Sequence, residues 1–218
     1  MRLDDPLTTR RESLEYQRIG AYDVAFDKDN HRYYVGERHV PNITQIIDDI
    51  HPQKRPRVDP EILRKAAESG NALKRMIMNY EKHDVKTPHK EMQSYISLKR
   101  QHQFDAVKLD TIVLLFQDGI AVGAGCFDMV VSSPYIDGKG IAIIKRSRHL
   151  DEARLRMQLN LYRRAFEETY KERIHYLKCL HIRGGYQDYI DVPVDRNLAD
   201  ELVETYIQRH PPDYTAYI

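Results

Sequence analysis

The sequence predicts an α/β (α+β) fold in which a central mixed β-sheet is flanked by helices. Two observations carry this prediction. Short apolar runs bounded by glycine and proline, which are typical of strands, dominate residues 111–147 and 174–194. Segments with helical spacing lie before, between and after these runs. Strands interrupted by helices favour a sheet that buries its faces under helices.

The first sixty residues predict an arm, a hairpin and a short helix. Residues 1–20 are polar and without period, so we expect a flexible N-terminal arm. Residues 21–41 contain two alternating runs around turn-forming residues at 27–30, which predicts a hairpin. Isoleucines repeat at helical spacing over 43–50, directly after Asn42, and predict a helix. The Pro-rich, basic segment 51–60 predicts a loop.

A longer helix is predicted over residues 60–82, because Asp59-Pro60 is a good helix start. A glycine inside a helix costs about 1 kcal/mol against alanine. One explanation for Gly70 is the close approach of another backbone, and Gly70→Leu is then expected to destabilise the fold. The apolar face of this helix comprises Ile62, Leu63, Ala66, Ala67, Gly70, Leu73, Met76, Ile77 and Tyr80.

The remaining segments complete the sheet. A helix is predicted within 87–107, followed by strands over 111–117, 120–132 and 140–147. The segment 151–172 has helical spacing, and 174–182 and 186–194 form a hairpin around the turn at 183–185. A last helix covers 196–209. We therefore expect one domain over 21–210 and a C-terminal tail over 211–218.

Composition excludes some classes of protein. The chain has 34 basic and 33 acidic residues and a net charge of +1, so its overall charge does not indicate nucleic-acid binding. No apolar run is long enough to span a bilayer, and the first residues lack the apolar centre of a secretory signal. Cys126 and Cys179 lie in apolar runs and predict buried thiols, which fits a reducing, cytoplasmic location without membrane attachment.

Four chemically active side chains are expected to meet at one edge of the sheet. Asp128 and Lys145 each interrupt an apolar strand, and Gln158 and Tyr162 lie one helical turn apart on the following helix. Such a group suits phosphodiester cleavage, in which a metal neutralises charge and activates water while a lysine stabilises the developing charge. The alternative is that Asp128 and Lys145 form an ordinary cross-strand ion pair.

Basic residues crowd the same region of the chain. They form either a cationic surface for phosphates or a solvated helix face whose partners are Glu152, Glu167 and Glu168. The basic residues are Lys145, Arg146, Arg148, Arg154, Arg156, Arg163 and Arg164.

Four stretches, in order, resemble the PD-(D/E)XK nuclease superfamily, in its RecB-like and phage exonuclease-like branch. The resemblance covers about residues 26–165. The stretches are residues 31–34 with 40–47, similar to an "H-x-Y … v-P-S-V-T-x-i-L" lead-in; residues 66–74, similar to "a-x-x-G-x-x-x-H"; residues 125–128 with 143–145, similar to "G-x-x-D" and "(D/E)-x-K"; and residues 158–162, which match "Q-x-x-x-Y".

The resemblance implies a restriction-endonuclease-like core and a role for each matched residue. Asp128 and the backbone carbonyl of Ile144 would bind Mg²⁺ or Mn²⁺, and Lys145 would be the catalytic lysine. Gln158 and Tyr162 would steady the active site or touch the DNA backbone. Asp110 stands where the family often has an acid at the start of the preceding strand.

Two departures from the family pattern bear on activity. Ile143 occupies the acid position of "(D/E)-x-K", and Lys74 occupies the histidine position of the helix motif. An isoleucine cannot bind magnesium, and a lysine beside the site repels a cation. An acid from elsewhere could compensate, and the candidates are Asp110, Asp137, Asp151 and Glu152.

We therefore expect a DNA-binding protein of phage or mobile-element type, in a bacterial cytoplasm, whose metal-dependent cleavage is impaired or lost. Lys74, Arg146, Arg148 and Arg154 are the candidate DNA-binding residues. One alternative is an active Mg²⁺-dependent exonuclease with a relocated carboxylate. Another is a non-enzymatic interaction or inhibitor protein, with a protein partner or a second copy of the chain. Without activity no cofactor is expected.

Overall fold

A computed structural model describes residues 14–27, 30, 32–53 and 59–211 of the chain. It contains nine strands in two sheets and five helices within these residues. The predicted mixed α/β architecture is confirmed. Residues 1–13 of the predicted arm, residues 28, 29 and 31 near the first turn, residues 54–58 of the basic loop and residues 212–218 of the tail lie outside the described residues.

The smaller sheet is antiparallel and comes from the N-terminal part of the chain. Its strands are β1 (Leu14–Ile19), β2 (Tyr22–Asp27), β3 (Arg32–Val35) and β4 (Arg38–Val40), in sequence order. Pairing of β2 with β3 confirms the predicted hairpin, and a second turn at Gly36 adds β4. The prediction that the arm extends to residue 20 is wrong, because β1 pairs with β2 along its whole length.

The larger sheet has five strands in sequence order. They are β5 (Asp105–Gln117), β6 (Ile120–Ser133), β7 (Ile136–Lys145), β8 (Ile174–Arg183) and β9 (Tyr186–Val192). Only the β7–β8 pair is parallel, so the sheet is mixed. A parallel pair needs a crossover connection, which α4 (Glu152–Tyr170) provides here. The N-terminal end of β5 lies six residues before the predicted strand.

The other helices are α1 (Ile43–Ile50), α2 (Pro60–His83), α3 (Lys90–His102) and α5 (Arg196–Arg209). Asn42 and Gln45 form a capping box at the start of α1, and Asp59 caps α2 ahead of Pro60. Helix α3 covers only the middle of the predicted 87–107 segment. It ends at His102, because the next residue, Gln103, has a left-handed backbone that stops the helix.

Helices cover both faces of the larger sheet. On one face α1, α4 and α5 pack in a cluster that includes Ile141 and Ile143 of β7. On the other face α2 and α3 pack in a cluster that includes Ala142 and Ile144. The near-continuous apolar run of β7 is therefore buried on both sides, as expected for a strand with a parallel neighbour. The smaller sheet packs against Leu114 and Ala124 of the long β5–β6 hairpin.

The predicted apolar face of α2 is buried only in its C-terminal half. Leu73 and Ile77 are fully buried, whereas Ile62 and Leu63 are 60% and 57% exposed. Among the described residues, no atom outside the backbone of α2 itself lies within 4 Å of a Cβ added at Gly70. The prediction of a close backbone contact at Gly70 is therefore wrong.

The close contacts occur instead at two glycines of β6. A Cβ at Gly125 would lie 2.7 Å from Cε1 of Tyr162 in α4 and 3.2 Å from Cδ1 of Ile43 in α1. A Cβ at Gly123 would lie 2.7 Å from Cδ1 of Ile46. Glycine here lets two helices approach the strand closely, which explains its place inside a buried strand.

Side chains of α4 satisfy the backbone of edge strand β5. Thr169 hydrogen-bonds both the amide and the carbonyl of Leu114, Glu168 accepts from the amide of Phe116, and Tyr170 donates to the carbonyl of Ile112. Uncovered strand edges can pair with other chains, so these contacts protect the sheet. In the described part of the chain, no helix has the length and apolar character needed to cross a membrane.

Substitution by alanine is expected to have opposite effects on stability at the closely packed Gly125 and at the open Gly70. Gly125→Ala should lower the free energy of unfolding by about 1–3 kcal/mol, because the new methyl group forces Tyr162 to move. Gly70→Ala should raise it by about 0.5–1 kcal/mol, because the site is open and helical. Urea unfolding of the two variants provides the measurement. Equal stabilities of Gly125→Ala and the wild type would contradict the contact.

Candidate active site at the splayed strands

Strands β6 and β7 separate beyond the pair of Met129 with Ala142, and Asp128 lies at that point. Their paired residues run from Ser133 with Ile136 to Met129 with Ala142, and the same register continued by one residue sets Asp128 opposite Ile143. The backbone N–H of Ile144 donates to Oδ2 of Asp128 at 2.7 Å. Where the β6–β7 ladder ends, the carboxylate of Asp128 thus accepts the hydrogen bond from a backbone N–H that a neighbouring strand would otherwise accept.

Lys74 binds the other oxygen of the same carboxylate. It lies on α2, and its Nζ is 2.8 Å from Oδ1 of Asp128, which is only 7% exposed. Packing around the ammonium lowers the pKa of Lys74, but the charge of Asp128 outweighs it and the net pKa is raised. The lysine therefore stays charged, and both oxygens of Asp128 have a donor.

Lys145 lies beside this ion pair at the end of β7. Its Nζ donates to Oε1 of Gln158 at 2.9 Å, and Gln158 Nε2 is 3.5 Å from the hydroxyl of Tyr162. Burial and the neighbouring charge of Lys74 lower the pKa of Lys145, although Asp128 acts in the opposite direction. The predicted convergence of Asp128, Lys145, Gln158 and Tyr162 is thus present in the structure.

Tyr162 belongs to the core beneath the site. Its ring centroid lies 5.6 Å from that of Phe127, and its ring fills the space that a side chain at position 125 would need. Burial raises the pKa of the Tyr162 hydroxyl well above its ordinary range. The hydroxyl therefore remains protonated, and Tyr162 can hold Gln158 in place but cannot supply a negative charge.

Asp110 does not join Asp128. The register of β5 with β6 sets Asp110 opposite Asp128, between the pairs Leu109 with Met129 and Thr111 with Phe127. However, Asp110 has a left-handed backbone, φ 47°, and its carboxylate lies 3.2 Å from Nζ of Lys82 on α2. Its predicted role as a metal ligand is not supported by this contact.

The other compensating acids are also elsewhere. Asp151 caps α4 by accepting from the amide of Arg154, and Asp137 and Glu152 are exposed. In the described ranges no group of three or more His, Cys, Asp or Glu side chains is placed to hold a metal ion.

The residues present do not fit a divalent metal at Asp128. Magnesium needs oxygen ligands with room for water, commonly one or two carboxylates. Here Oδ1 already contacts an ammonium, and the position across the ladder is Ile143, which is 3% exposed and packs in the core.

Most of the predicted DNA-binding cations have acidic partners. Arg146 binds Glu91 at 2.9 Å, and Arg154 lies 2.9 Å from Asp48. Arg148 is exposed. Two basic residues of α4 pair with acids of the same helix, Arg163 with Glu167 and Arg164 with Glu168, whereas Arg156 binds Asp195 at the start of α5. The acids Glu167 and Glu168 are thus partners as in the second alternative, but Arg163 is only 2% exposed, so this part of the helix face is not solvated.

Glu91 is a site-bordering residue that sequence reasoning missed. It is 3% exposed and accepts from Arg146 and from the amide of Gly184 at 2.7 Å. Burial disfavours its charged form, but these hydrogen bonds outweigh burial and hold the pKa of Glu91 below its ordinary range. Glu91 lies in the polar first turn of α3, where the local sequence does not indicate a buried side chain. Its partners are distant in the chain, one directly after β7 and one in the β8–β9 turn.

Both cysteines are free thiols, as predicted. Cys179 is buried and Cys126 is half-buried against the smaller sheet. Burial raises the pKa of each thiol to about 12, with Asp110 and Asp128 adding to the effect at Cys126. Neither thiol is a nucleophile at neutral pH.

Comparison with known proteins does not assign a family. No family model matches the chain, and no curated protein does. Among solved structures, one described as "Crystal structure of SSO0001" matches with 14% identity and a TM-score of 0.35, over 79% of this chain and 86% of that one. A likeness at this level carries no argument about function.

Removal of Lys74 should raise the pKa of Lys145. In Lys74→Met the repelling ammonium is gone and Asp128 is left for Lys145, so both changes favour the charged form. An NMR pH titration of the Lys145 side chain in ¹³C-lysine-labelled protein measures the shift, with Lys65→Met as the control. An unchanged or lower pKa in Lys74→Met would show that the two ammonium groups are not coupled.

Removal of Arg146 should destabilise the fold through Glu91. Arg146→Ala leaves a buried carboxylate without its main partner, and we expect a loss on the order of 3 kcal/mol at pH 7. The control is Arg64→Ala, whose partners Glu61 and Glu68 are exposed, and its expected effect on stability is small because exposed ion pairs contribute little. Because the pKa of Glu91 is lowered by folding, the difference should shrink as the pH falls below the ordinary glutamate range.

Proposed function

We propose that this chain is a nucleic-acid-binding protein of the PD-(D/E)XK nuclease type in which metal-dependent cleavage is lost. One observation carries the proposal: Nζ of Lys74 lies 2.8 Å from Asp128, at the carboxylate that would hold the metal in an active relative. A cation already bound to this carboxylate competes directly with Mg²⁺.

The site frame supports the assignment to this type of protein. The strand register, the Ile144 amide on Asp128, and the contacts of Lys145 with Gln158 follow the order of the motifs in the sequence. Phage or mobile-element origin and a bacterial cytoplasmic location follow from the resemblance alone and belong to the proposal. DNA is the proposed partner.

Lys145 supports binding rather than cutting. It ends a strand, contacts a neutral glutamine, and has no carboxylate in the ion pairs of the described residues. Its charge is therefore less compensated than that of Lys74 or Arg146, and a phosphate is a suitable partner. An active nuclease would need a second carboxylate at the site, and the candidate closest in register, Asp110, contacts Lys82 instead.

The first test is a cleavage assay on single- and double-stranded DNA with Mg²⁺ and with Mn²⁺. We expect no cutting above background, because Lys74 already occupies Oδ1 of Asp128 and an isoleucine, Ile143, stands at the second acid position. Isothermal titration of Mn²⁺ into the protein should show no binding heat that depends on Asp128. Cutting that disappears in Asp128→Ala would refute the loss of activity.

The second test concerns binding. Lys145→Gln keeps a hydrogen-bonding side chain but removes the charge, so DNA affinity should fall, and the slope of log Kd against log salt should decrease by about 0.7–0.9. Lys65→Gln, on the exposed part of α2, is the matched control and should leave the slope unchanged. Fluorescence anisotropy with labelled DNA measures both variants. Equal slopes for wild type and Lys145→Gln would remove Lys145 from the interface.

A further inference from the structure

An open pocket lies next to Lys145, at the carboxyl ends of the parallel strands β7 and β8. It has a volume of about 410 Å³ and is lined by Ser147, Arg148, His181, Arg183, Gly184 and Tyr186. Lys145 of the candidate active site and His181 of the pocket are partners in the β7–β8 register, so the pocket borders the candidate active site.

The pocket is cationic. Arg148 and Arg183 are both exposed, and neither has an ion-pair partner among residues 14–27, 30, 32–53 and 59–211. A third cation lies above the β8–β9 turn, because a Cβ on Gly185 would be 2.9 Å from Nζ of Lys90. Two acids border the pocket: Asp188 at the rim accepts from the hydroxyl of Tyr186 at 3.2 Å, and Glu91, which is paired with Arg146, accepts from the amide of Gly184. The basic groups around the pocket therefore outnumber the acids.

The pocket backbone is held in place by two buried groups. Glu91 joins Arg146 after β7 to the amide of Gly184 in the β8–β9 turn. His181, 7% exposed, lies with Nε2 2.8 Å from the carbonyl oxygen of Ser147. Since both walls are fixed before any ligand binds, little ordering cost remains for the ligand to offset.

Tyr186 supplies an aromatic surface beside the cations. Its side chain is 53% exposed, and its ring meets His181 edge to face, with centroids 5.1 Å apart at 68°. An exposed tyrosine ring beside guanidinium groups suits a planar base next to a phosphate, as in single-strand-binding grooves.

We propose that this pocket binds a phosphate group of a single nucleic-acid strand, through Arg148 and Arg183, with the neighbouring base on Tyr186. Guanidinium groups bind phosphate oxygens with two parallel hydrogen bonds, which makes arginine well suited to this task. Arg148 follows Lys145 by three residues, so one strand can reach both. The strand as ligand rests on the proposed function, whereas the phosphate chemistry does not.

The test measures salt-dependent binding of a labelled single-stranded DNA of about 12 nucleotides, a length within the range of one single-strand-binding groove. In Arg148→Ala/Arg183→Ala the slope of log Kd against log salt should fall by about 1.4, because each phosphate contact contributes about 0.7. The matched control is Arg100→Ala/Arg173→Ala, which removes two arginines outside this pocket and should keep the wild-type slope. Thermal melting confirms that both variants fold.

A second probe separates the pocket from the proposed function. A nucleoside 5′-monophosphate is titrated into ¹⁵N-labelled protein, and the amides of Gly184 and Gly185 are followed. Shifts that vanish in the double variant support a phosphate pocket even if DNA does not bind, in which case the proposed function fails alone. DNA binding with an unchanged slope in the double variant overturns the pocket alone. No binding of either probe overturns both.

Tyr186 distinguishes stacking from charge. Tyr186→Ala should weaken DNA binding by about tenfold or more, since stacking on one aromatic side chain typically contributes that much. Tyr186→Phe removes only the hydroxyl that contacts Asp188 and should bind as the wild type does. Wild-type affinity in Tyr186→Ala would remove the base from the proposal.

Discussion

The contact of Lys74 with Asp128 is the interaction on which the candidate site depends. It joins α2 to β6 at the point where β6 and β7 separate, and it compensates a carboxylate that is 7% exposed. A buried charge without a partner is costly, so the site needs this cation or an equivalent one. Lys74 therefore sets the charge of the site and links α2 to β6 there.

Around this ion pair the structure distributes its cations unevenly. Arg146 and Arg154 are bound to Glu91 and Asp48, and the arginines of α4 are bound to acids of their own helix or of its neighbours. In this region of the described structure, the positive charge without an acidic partner lies at Lys145 and at the neighbouring pocket. A chain with a net charge of +1 can thus present a local cationic surface, because many of its other basic residues are paired with acids.

The glycines show where sequence reasoning reached its limit. Gly70 interrupts a helical pattern, which led to the prediction of a close contact, yet no described residue packs against it. Gly125 lies in a strand where glycine already fits a motif, and Tyr162 of α4 packs against it. Only the packing of α1 and α4 over β6 separates the two cases, and that packing depends on residues distant in the chain.

The sequence by itself determined the helices, the strands of the larger sheet, the order of the site residues and the convergence of Asp128, Lys145, Gln158 and Tyr162. These follow from local periodicity and from motif spacing, which are written along the chain. Only the tertiary structure decided that Lys74 binds Asp128, that Lys82 binds Asp110, and that Glu91 is buried. Those contacts join side chains 28 to 55 positions apart, and their geometry is set by helix packing on the sheet rather than by any local pattern.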